Sequence, residues 1–162
     1  MSAQTSARTR DEIIALNNAT VDEHFHNENP ESIDAAIAVY TDDIVWEVPA
    51  RGLVHRDKET VKAEYLQIFA AMHVHRITNL HRFATEEWVF DDSIFEITIM
   101  QEGFRNCPFP PGTRCSMRLV HAFQMRDGRI CRENGYELWR RADDTDRVND
   151  DIPADAVVTV FD

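Results

Sequence analysis

The sequence predicts one α+β domain, in which helices pack on one face of a strongly curved antiparallel sheet. Three observations support this fold class. Apolar residues recur at helical spacing in much of the first 70 residues. From residue 72 onward, β-branched and aromatic residues dominate a series of short segments. Asp127-Gly128 lies between two such segments, as in a tight hairpin. Helices followed by a strand meander indicate an α+β arrangement.

The first predicted helix runs from a cap at Thr9 or Asp11 to about Asn27, with a loosely periodic apolar face. A second, short helix begins at Ser32, or at Pro30 just before it. Its apolar side consists of Ile33, Ile37 and Tyr40. The third predicted helix covers about residues 57–71 and carries one apolar stripe.

The predicted strands begin with residues 44–48, which end at Pro49. Five further β-rich segments follow residue 72, with a long loop at 105–114 and the Asp127-Gly128 hairpin among their connections. A curved sheet closed by helices forms a cone with one open end. Such a cone predicts a cavity for a small organic molecule.

Composition excludes several classes of function. The 162 residues fit one domain, and the formal net charge of −12 disfavours binding to nucleic acid or to an anionic membrane. No apolar run is long enough to span a bilayer, and the first residues lack the apolar core of a signal peptide. The three cysteines lack C-x-x-C spacing, which suits a reduced, cytoplasmic compartment.

The end of the chain is predicted to be a separate feature. We place the folded domain at residues 1–142 and an acidic C-terminal tail at 143–162. The stretch 142–155 is rich in Asp, which favours a solvated, mobile segment. Residues 156–161, AVVTVF, are β-branched and apolar enough to pair as a short edge strand instead.

Four stretches carry a resemblance to a known group of proteins. They are AVYTDDIVWEVP (38–49), VKAEYLQIF (61–69), LVHAFQMRDGRI (119–130) and ENGYE (133–137). In them the chain resembles the nuclear transport factor 2-like superfamily over about residues 10 to 140. This group includes ketosteroid isomerases, SnoaL-like polyketide cyclases, scytalone dehydratase and limonene epoxide hydrolase. The resemblance implies the cone fold, but it is weak for chemistry because this fold carries many activities.

Two branches of the superfamily imply different site residues. Against ketosteroid isomerase, the catalytic Asp position falls on Val48, the oxyanion-hole Tyr on His24, and the protonated Asp on His121. A valine cannot abstract a proton, so that isomerase reaction is not expected. Against the dehydratase branch, HRITN (75–79) matches the segment of the catalytic His, which implies a general base at His75.

The dehydratase branch also orients its histidine with an Asp at the end of the first helix. The nearest position here is Asn29, so Glu28 or Glu133 would have to substitute. Because His24 and His26 are two residues apart on a helix, they point in different directions. We expect His24 to face the cavity and His26 to face solvent.

Other candidates follow from strand alternation. Glu96 is an acid in an otherwise apolar run, so it is paired, with Arg118 or His121, or it faces a wet pocket. Glu133 and Glu137 are predicted to lie on the same strand face and to line the cavity. For both residues the alternative is a position in solvent or in a dimer interface. Trp46 and Tyr65 are predicted wall residues, though core packing also explains them.

The His73-x-His75 pair could bind a metal ion with a third ligand, but no carboxylate or cysteine flanks it at ligand spacing. We therefore predict no metal and no cofactor. The prediction is a homodimeric, cofactor-independent lyase or isomerase that acts on a small organic substrate by histidine and carboxylate acid-base chemistry, with His75, His121, His24 and Glu133 as catalytic candidates. The alternative is a non-catalytic ligand-binding protein of the same fold, and a weaker one is a metal-dependent enzyme.

Overall fold

The computed structural model describes residues 8–144 and 152–161 of the chain. Three α-helices precede or interrupt the sheet: α1 (Arg10–His26), α2 (Ile33–Ala38) and α3 (Lys58–Ala71). The strands are β1 (Tyr40–Val48), β2 (Leu53–His55), β3 (Met72–Ala84), β4 (Trp88–Ile99), β5 (Arg114–Arg126), β6 (Arg129–Arg141) and β7 (Val157–Val160). A single 3-10 turn, Pro49–Arg51, joins β1 to β2.

The strands form one curved sheet in the order β2-β1-β6-β5-β4-β3-β7. The predicted α+β cone is confirmed, with one difference: the sheet is mixed, because β1 runs parallel to β6 while the other neighbours are antiparallel. A hairpin forces its two strands to be antiparallel. The whole β2–β5 region separates β1 from β6 in sequence, so no tight turn constrains their direction.

Local sequence signals account for the ends of the elements. Thr9 caps α1 in a capping box with Glu12. The side chain of Asp57 accepts a hydrogen bond from the Thr60 backbone N–H at 2.8 Å and begins α3. In the β5–β6 hairpin, Asp127 and Gly128 both have positive φ, 53° and 74°. These angles suit a type I′ turn, so the predicted hairpin is present.

The core fills the space between the three helices and the inner face of the sheet. Its largest fully buried apolar side chains include Phe123, Ile97 and Ile130 on the strands, with Val21 and Val61 on the helices. The helices cover the inner face of the sheet incompletely. The space that remains between α1, α3 and strands β1, β4, β5 and β6 is the cavity described below.

The predicted acidic tail ends in a strand. β7 pairs antiparallel with β3, and the Phe161 N–H donates to the His75 carbonyl at 2.9 Å. This is the edge-strand alternative for residues 156–161. Residues 145–151 lie outside the described part of the chain, and the domain boundary after residue 142 stays a prediction. Among the described helices, none has the length and apolar character needed to cross a membrane.

Candidate functional site

The cavity lies between the helices and the inner face of the sheet. The volume that the centre of a water molecule can occupy in it is about 60 Å³. One water needs roughly 10–15 Å³ of such space, so the cavity has room for several waters or for a small molecule. The lining residues are Glu28, Trp46, Val48, Arg51, Tyr65, Ile68, Phe69, Met72, Phe95, Phe104, Met117, Leu119, His121, Glu133, Gly135 and Glu137.

His24 sits at the centre of a buried polar cluster beside this cavity. Its side chain is fully buried on α1, and its Nε2 lies 2.8 Å from Glu28 Oε1 and 3.3 Å from Glu133 Oε2. Its Nδ1 lies 3.2 Å from the carbonyl oxygen of Ala36. A carbonyl and a carboxylate are acceptors only, so both ring nitrogens must donate a proton. The geometry therefore describes an imidazolium held between two carboxylates.

Electrostatics agree with this assignment. Burial lowers the pKa of His24. The Glu28 and Glu133 carboxylates raise it by more than burial lowers it, so the pKa reaches about 10. Burial raises the pKa of Glu133, but the charge and hydrogen bond of His24 outweigh it and lower that pKa to about 2. At neutral pH the pair is a buried ion pair. His24 therefore has no free lone pair and cannot act as a general base.

Two tyrosines complete the cluster. Tyr40 donates a short hydrogen bond to Glu133 Oε2, and Tyr65 donates to Glu133 Oε1 at 2.8 Å. The Tyr65 hydroxyl is also 3.1 Å from Glu28 Oε1. Burial, and then the negative charge of Glu133, raise the pKa of both phenols well above the usual value. The tyrosines therefore stay protonated and satisfy the oxygens of Glu133.

His121 is the second histidine of the site and differs from His24 in its bonding. It lies on the inner face of β5, stacked on Phe123 with ring centroids 5.4 Å apart. Its Nε2 is 3.9 Å from Glu133 Oε1, which is an ion-pair distance and not a hydrogen bond. Its Nδ1 is buried and has no hydrogen-bond partner. His24 therefore has a hydrogen-bond acceptor at each ring nitrogen, whereas His121 does not.

A second polar cluster forms the other end of the cavity. Arg51 is the last residue of the 3-10 turn and is 4% exposed. Its Nε donates to both oxygens of Glu137 at 3.1 and 3.2 Å, and its NH1 contacts Glu64 at 3.5 Å and the carbonyl of Arg105 at 3.1 Å. Arg105 itself pairs with Glu64. These bonds fasten the loop between β4 and β5 to the sheet and to α3.

The structure brings together six of the eight predicted site residues. Five of them, Trp46, Tyr65, His121, Glu133 and Glu137, line the cavity. The sixth, His24, does not line the cavity itself but contacts three residues that do: Glu28, Tyr65 and Glu133. Glu28 contacts His24 and not His75, the histidine for which the dehydratase resemblance required Glu28 or Glu133 as the orienting carboxylate. The sixteen lining residues also include Val48, at the position of the isomerase base.

His75 and Glu96 lie elsewhere, which corrects their expected position at the cavity. A β-bulge lies between Val74 and Arg76, at His75. Ile77 pairs with the cavity residue Phe95, so regular alternation would point His75 inward as well. The bulge reverses this parity. The His75 ring instead bonds Thr98 on the outer face at 2.8 Å.

Glu96 follows Phe95 on β4 and precedes Ile97, and both neighbours pack into the core. Strand alternation therefore turns Glu96 to the outer face, where it lines a separate groove with Arg114 and Arg141. Its cross-strand neighbours are Arg76 and Ser116. The Arg118 guanidinium, proposed as its partner, forms two bonds to Asp92 at 2.9 and 2.6 Å.

Tyr40 and Arg51 were not predicted. Tyr40 was expected on the apolar side of the second helix, whereas β1 begins at this residue and its hydroxyl joins the cluster. The signal that was missed is the run of strand-forming residues on both sides of Asp42-Asp43. Arg51 had no signal in the sequence, because an arginine after Pro-Ala resembles an exposed turn residue.

The same cluster contains three potential metal ligands. Potential ligand atoms of His24, Glu28 and Glu133 lie within 4.8 Å of one another. The distances of 2.8 and 3.3 Å from His24 Nε2 are those of charged hydrogen bonds, so protons account for this arrangement without an ion. His73 and His75 have ring centroids 4.6 Å apart, on the outer face. The absence of a metal stays a prediction.

Comparisons with known proteins bear on the fold and the family. No curated protein matches the sequence. The structure is similar to an NTF2-like protein from Burkholderia xenovorans, with a TM-score of 0.65, 15% identity, and coverage of 77% of this chain and 91% of that one. It is also similar to an LEH-like epoxide hydrolase from M. tuberculosis, with a TM-score of 0.59, 16% identity, and coverage of 77% and 84%.

A third similar structure is a ketosteroid isomerase-like protein from Erwinia carotovora atroseptica, with a TM-score of 0.55, 20% identity, and coverage of 79% of this chain and 98% of that one. At these identities the likeness shows the fold alone. The model of the SnoaL-like domain matches residues 21–133, well over half of the 162 residues. The chain therefore belongs to the family of SnoaL-like domains.

Proposed function

We propose that the chain binds a small, largely apolar organic molecule in the cavity and transfers a proton on it without a cofactor, as a lyase or an isomerase. One observation carries this proposal. A buried ion pair of His24 and Glu133 lies directly beside His121, in a cavity whose other walls are mostly apolar. Buried ionisable groups are costly, and their concentration in a cavity is typical of catalytic sites.

His121 is the proposed general base. A neutral imidazole has a lone pair that can take a proton from a C–H group of the substrate. The resulting imidazolium would be stabilised by Glu133, whose Oε1 lies 3.9 Å from Nε2. The imidazolium then returns the proton to another carbon of the substrate, which completes an isomerisation, or to a departing hydroxyl group, which completes an elimination of water.

His24, Tyr40 and Tyr65 have a different role in this proposal. They hold Glu133 ionised and fixed in place, since each contacts its carboxylate. His24 and Glu133, predicted from the sequence as catalytic candidates, become positioning residues for His121. His75 has no place in the proposed reaction because its ring lies on the outer face.

Non-catalytic binding is the second candidate. It is favoured by the bonding within the cluster, where His24 and Glu133 are already paired with each other and with the tyrosines. In this candidate function the cluster holds a polar group of a ligand and takes no part in proton transfer. The two candidates share the cavity and differ in whether His121 accepts a proton.

The two candidates can be separated by nuclear magnetic resonance. A library of small carbonyl compounds and alcohols is first screened for compounds that shift the signals of cavity residues. Each binder is then incubated with the protein in D₂O. The enzyme proposal expects loss of a substrate C–H signal by exchange or conversion. Binding to the cavity without any such change, across all binders, would favour the non-catalytic candidate.

We also propose that the chain forms a homodimer through the outer face of the sheet, and that it resides in the cytoplasm, where its three free cysteines would stay reduced. Tyr136 and Leu138 on β6 are about half exposed on that face, at 49% and 51%. Light scattering at micromolar concentration is expected to give the mass of a dimer. Leu138→Asp should yield a monomer, whereas Leu66→Asp, on α3, should not. A monomeric parent protein would contradict the proposal.

A further inference from the structure

The cavity carries a net negative charge. Three glutamates line it: Glu28, Glu133 and Glu137. The positive charge of Arg51 is paired with Glu137, and that of the His24 imidazolium is paired most closely with Glu28 and Glu133. Two positive charges thus face three negative ones. One unit of negative charge is left, shared between the Glu28 and Glu133 carboxylates.

Glu28 is the carboxylate that a ligand can reach. Its side chain is 20% exposed, whereas that of Glu133 is 2% exposed and that of Glu137 is 4% exposed. Its Oε1 accepts from His24 and lies 3.1 Å from the Tyr65 hydroxyl, and the exposed part of the carboxylate can accept further bonds. A carboxylate has about four acceptor positions, so His24 and Tyr65 do not exhaust it.

Aromatic rings form much of the surrounding wall. The five aromatic lining residues are Trp46, Tyr65, Phe69, Phe95 and Phe104. The face of an aromatic ring carries partial negative charge and attracts a cation that lies over it. Tyr65 also touches Glu28 directly, with its hydroxyl 3.1 Å from Oε1. A carboxylate beside aromatic rings is a favourable environment for a protonated amine.

We propose that the ligand of this cavity is a small organic amine with an apolar body, whose ammonium group pairs with Glu28. This inference rests on the binding cavity of the proposed function, but not on proton transfer by His121. The ammonium group would neutralise the remaining charge, and the apolar body would fill the space between the rings.

An anionic ligand is disfavoured here. Arg51 is the arginine that lines the cavity among the described residues, and its Nε and NH1 already bond Glu137, Glu64 and the Arg105 carbonyl. A carboxylate or phosphate group would meet Glu28 with a like charge. The net charge of −12 on the whole chain also slows the approach of anions.

The test compares three probes that share one skeleton: benzylamine, benzyl alcohol and benzoate. Dissociation constants are measured at pH 7 and 150 mM salt, and resonance shifts of Trp46 and Tyr65 locate the binding. Benzylamine is expected to bind at least about tenfold more tightly than benzyl alcohol, because a hydrogen bond to a charged group is stronger than a neutral one. Benzoate is expected to bind most weakly.

Glu28→Gln should reduce the preference for benzylamine over benzyl alcohol to about twofold or less. Glu31→Gln removes the same charge from an exposed residue three positions later and should leave the preference unchanged. Because the three probes are compared on the parent protein first, the result does not depend on the folding of a variant. Propylamine, propanol and propanoate repeat the comparison for a smaller ligand.

The outcomes separate this inference from the proposed function. If the alcohol or the carboxylate binds as tightly as the amine, or if Glu31→Gln acts like Glu28→Gln, the amine inference is wrong and the cavity remains a binding site. If neither trio binds but other neutral compounds shift the cavity resonances, the amine inference is again wrong. If no compound of any class shifts them, the proposed function fails as well.

Discussion

Replacing His121 with alanine is expected to lower kcat by about 100-fold or more, the usual contribution of a general base. His121 lies beside Glu133 at 3.9 Å without a hydrogen bond to it, whereas His24 donates from both nitrogens. The substitution removes the proton acceptor and leaves the ion pair of His24 and Glu133 intact. The expected effect is therefore on kcat, with a small effect on ligand affinity.

His75→Ala is the matched control. The His75 ring bonds Thr98 on the outer face and touches no residue of the cavity cluster through a described bond. Its turnover is expected to match that of the parent protein within about twofold. The reverse result would be a loss of activity in His75→Ala with activity retained in His121→Ala. It would show that the general base is His75, as the dehydratase resemblance implies, and not His121.

Replacing Glu133 with alanine is expected to lower the free energy of unfolding by about 3–5 kcal/mol, the scale for a broken buried ion pair. The change leaves the His24 imidazolium with Glu28 alone and takes the acceptor away from Tyr40 and Tyr65. Denaturant titration at neutral pH measures the loss. Glu47→Ala is the control, because the half-buried pair of Glu47 with Arg132 should be worth less than about 1 kcal/mol.

The pH dependence of stability gives a second check on the same pair. The pKa of His24 rises from 6.5 to about 10 on folding, so its contribution is complete below pH 6.5 and is lost as the pH rises towards 10. The pKa of Glu133 falls from 4.5 to about 2, so its contribution is complete above pH 4.5 and is lost as the pH falls towards 2. The pair therefore stabilises the fold most between pH 4.5 and 6.5.

Glu133→Ala should reduce the loss of stability between pH 4.5 and 2, and weaken the change above pH 6.5. An unfolding free energy that varies with pH in the same way in the variant and in the parent protein would contradict a buried ion pair. A loss below about 1 kcal/mol would do the same.

Much of the fold followed from local rules in the sequence. The Asp127-Gly128 hairpin and the Thr9 cap are formed by residues a few positions apart, so the printed sequence contains all the information needed. The cavity position of His24, His121 and Glu133 came from the resemblance, which transfers a three-dimensional arrangement that no spacing rule provides. Their placement around one cavity depends on which strands pair.

The two misplaced residues have different causes. His75 was placed at the cavity by the dehydratase resemblance, which does not show that one extra residue in β3 changes the register there. Glu96 was kept as a cavity candidate because it is an acid in an apolar run, although regular alternation places it on the outer face. Arg51 shows the complementary limit. Its partners lie on β6, α3 and the β4–β5 loop, which are distant from it in sequence. The residues next to Arg51 in the sequence therefore do not predict that it is buried.

Arg51 also determines how the cavity end can fluctuate. Its guanidinium holds Glu137 of β6, Glu64 of α3 and the Arg105 carbonyl of the loop at once, and its own carbonyl accepts from Asn106 at 2.7 Å. If the loop lifted alone, the buried guanidinium would lose the Arg105 carbonyl as an acceptor. Local opening therefore recruits the neighbouring segments, and amide hydrogens of the loop and of the end of β6 should exchange with solvent as one cooperative unit.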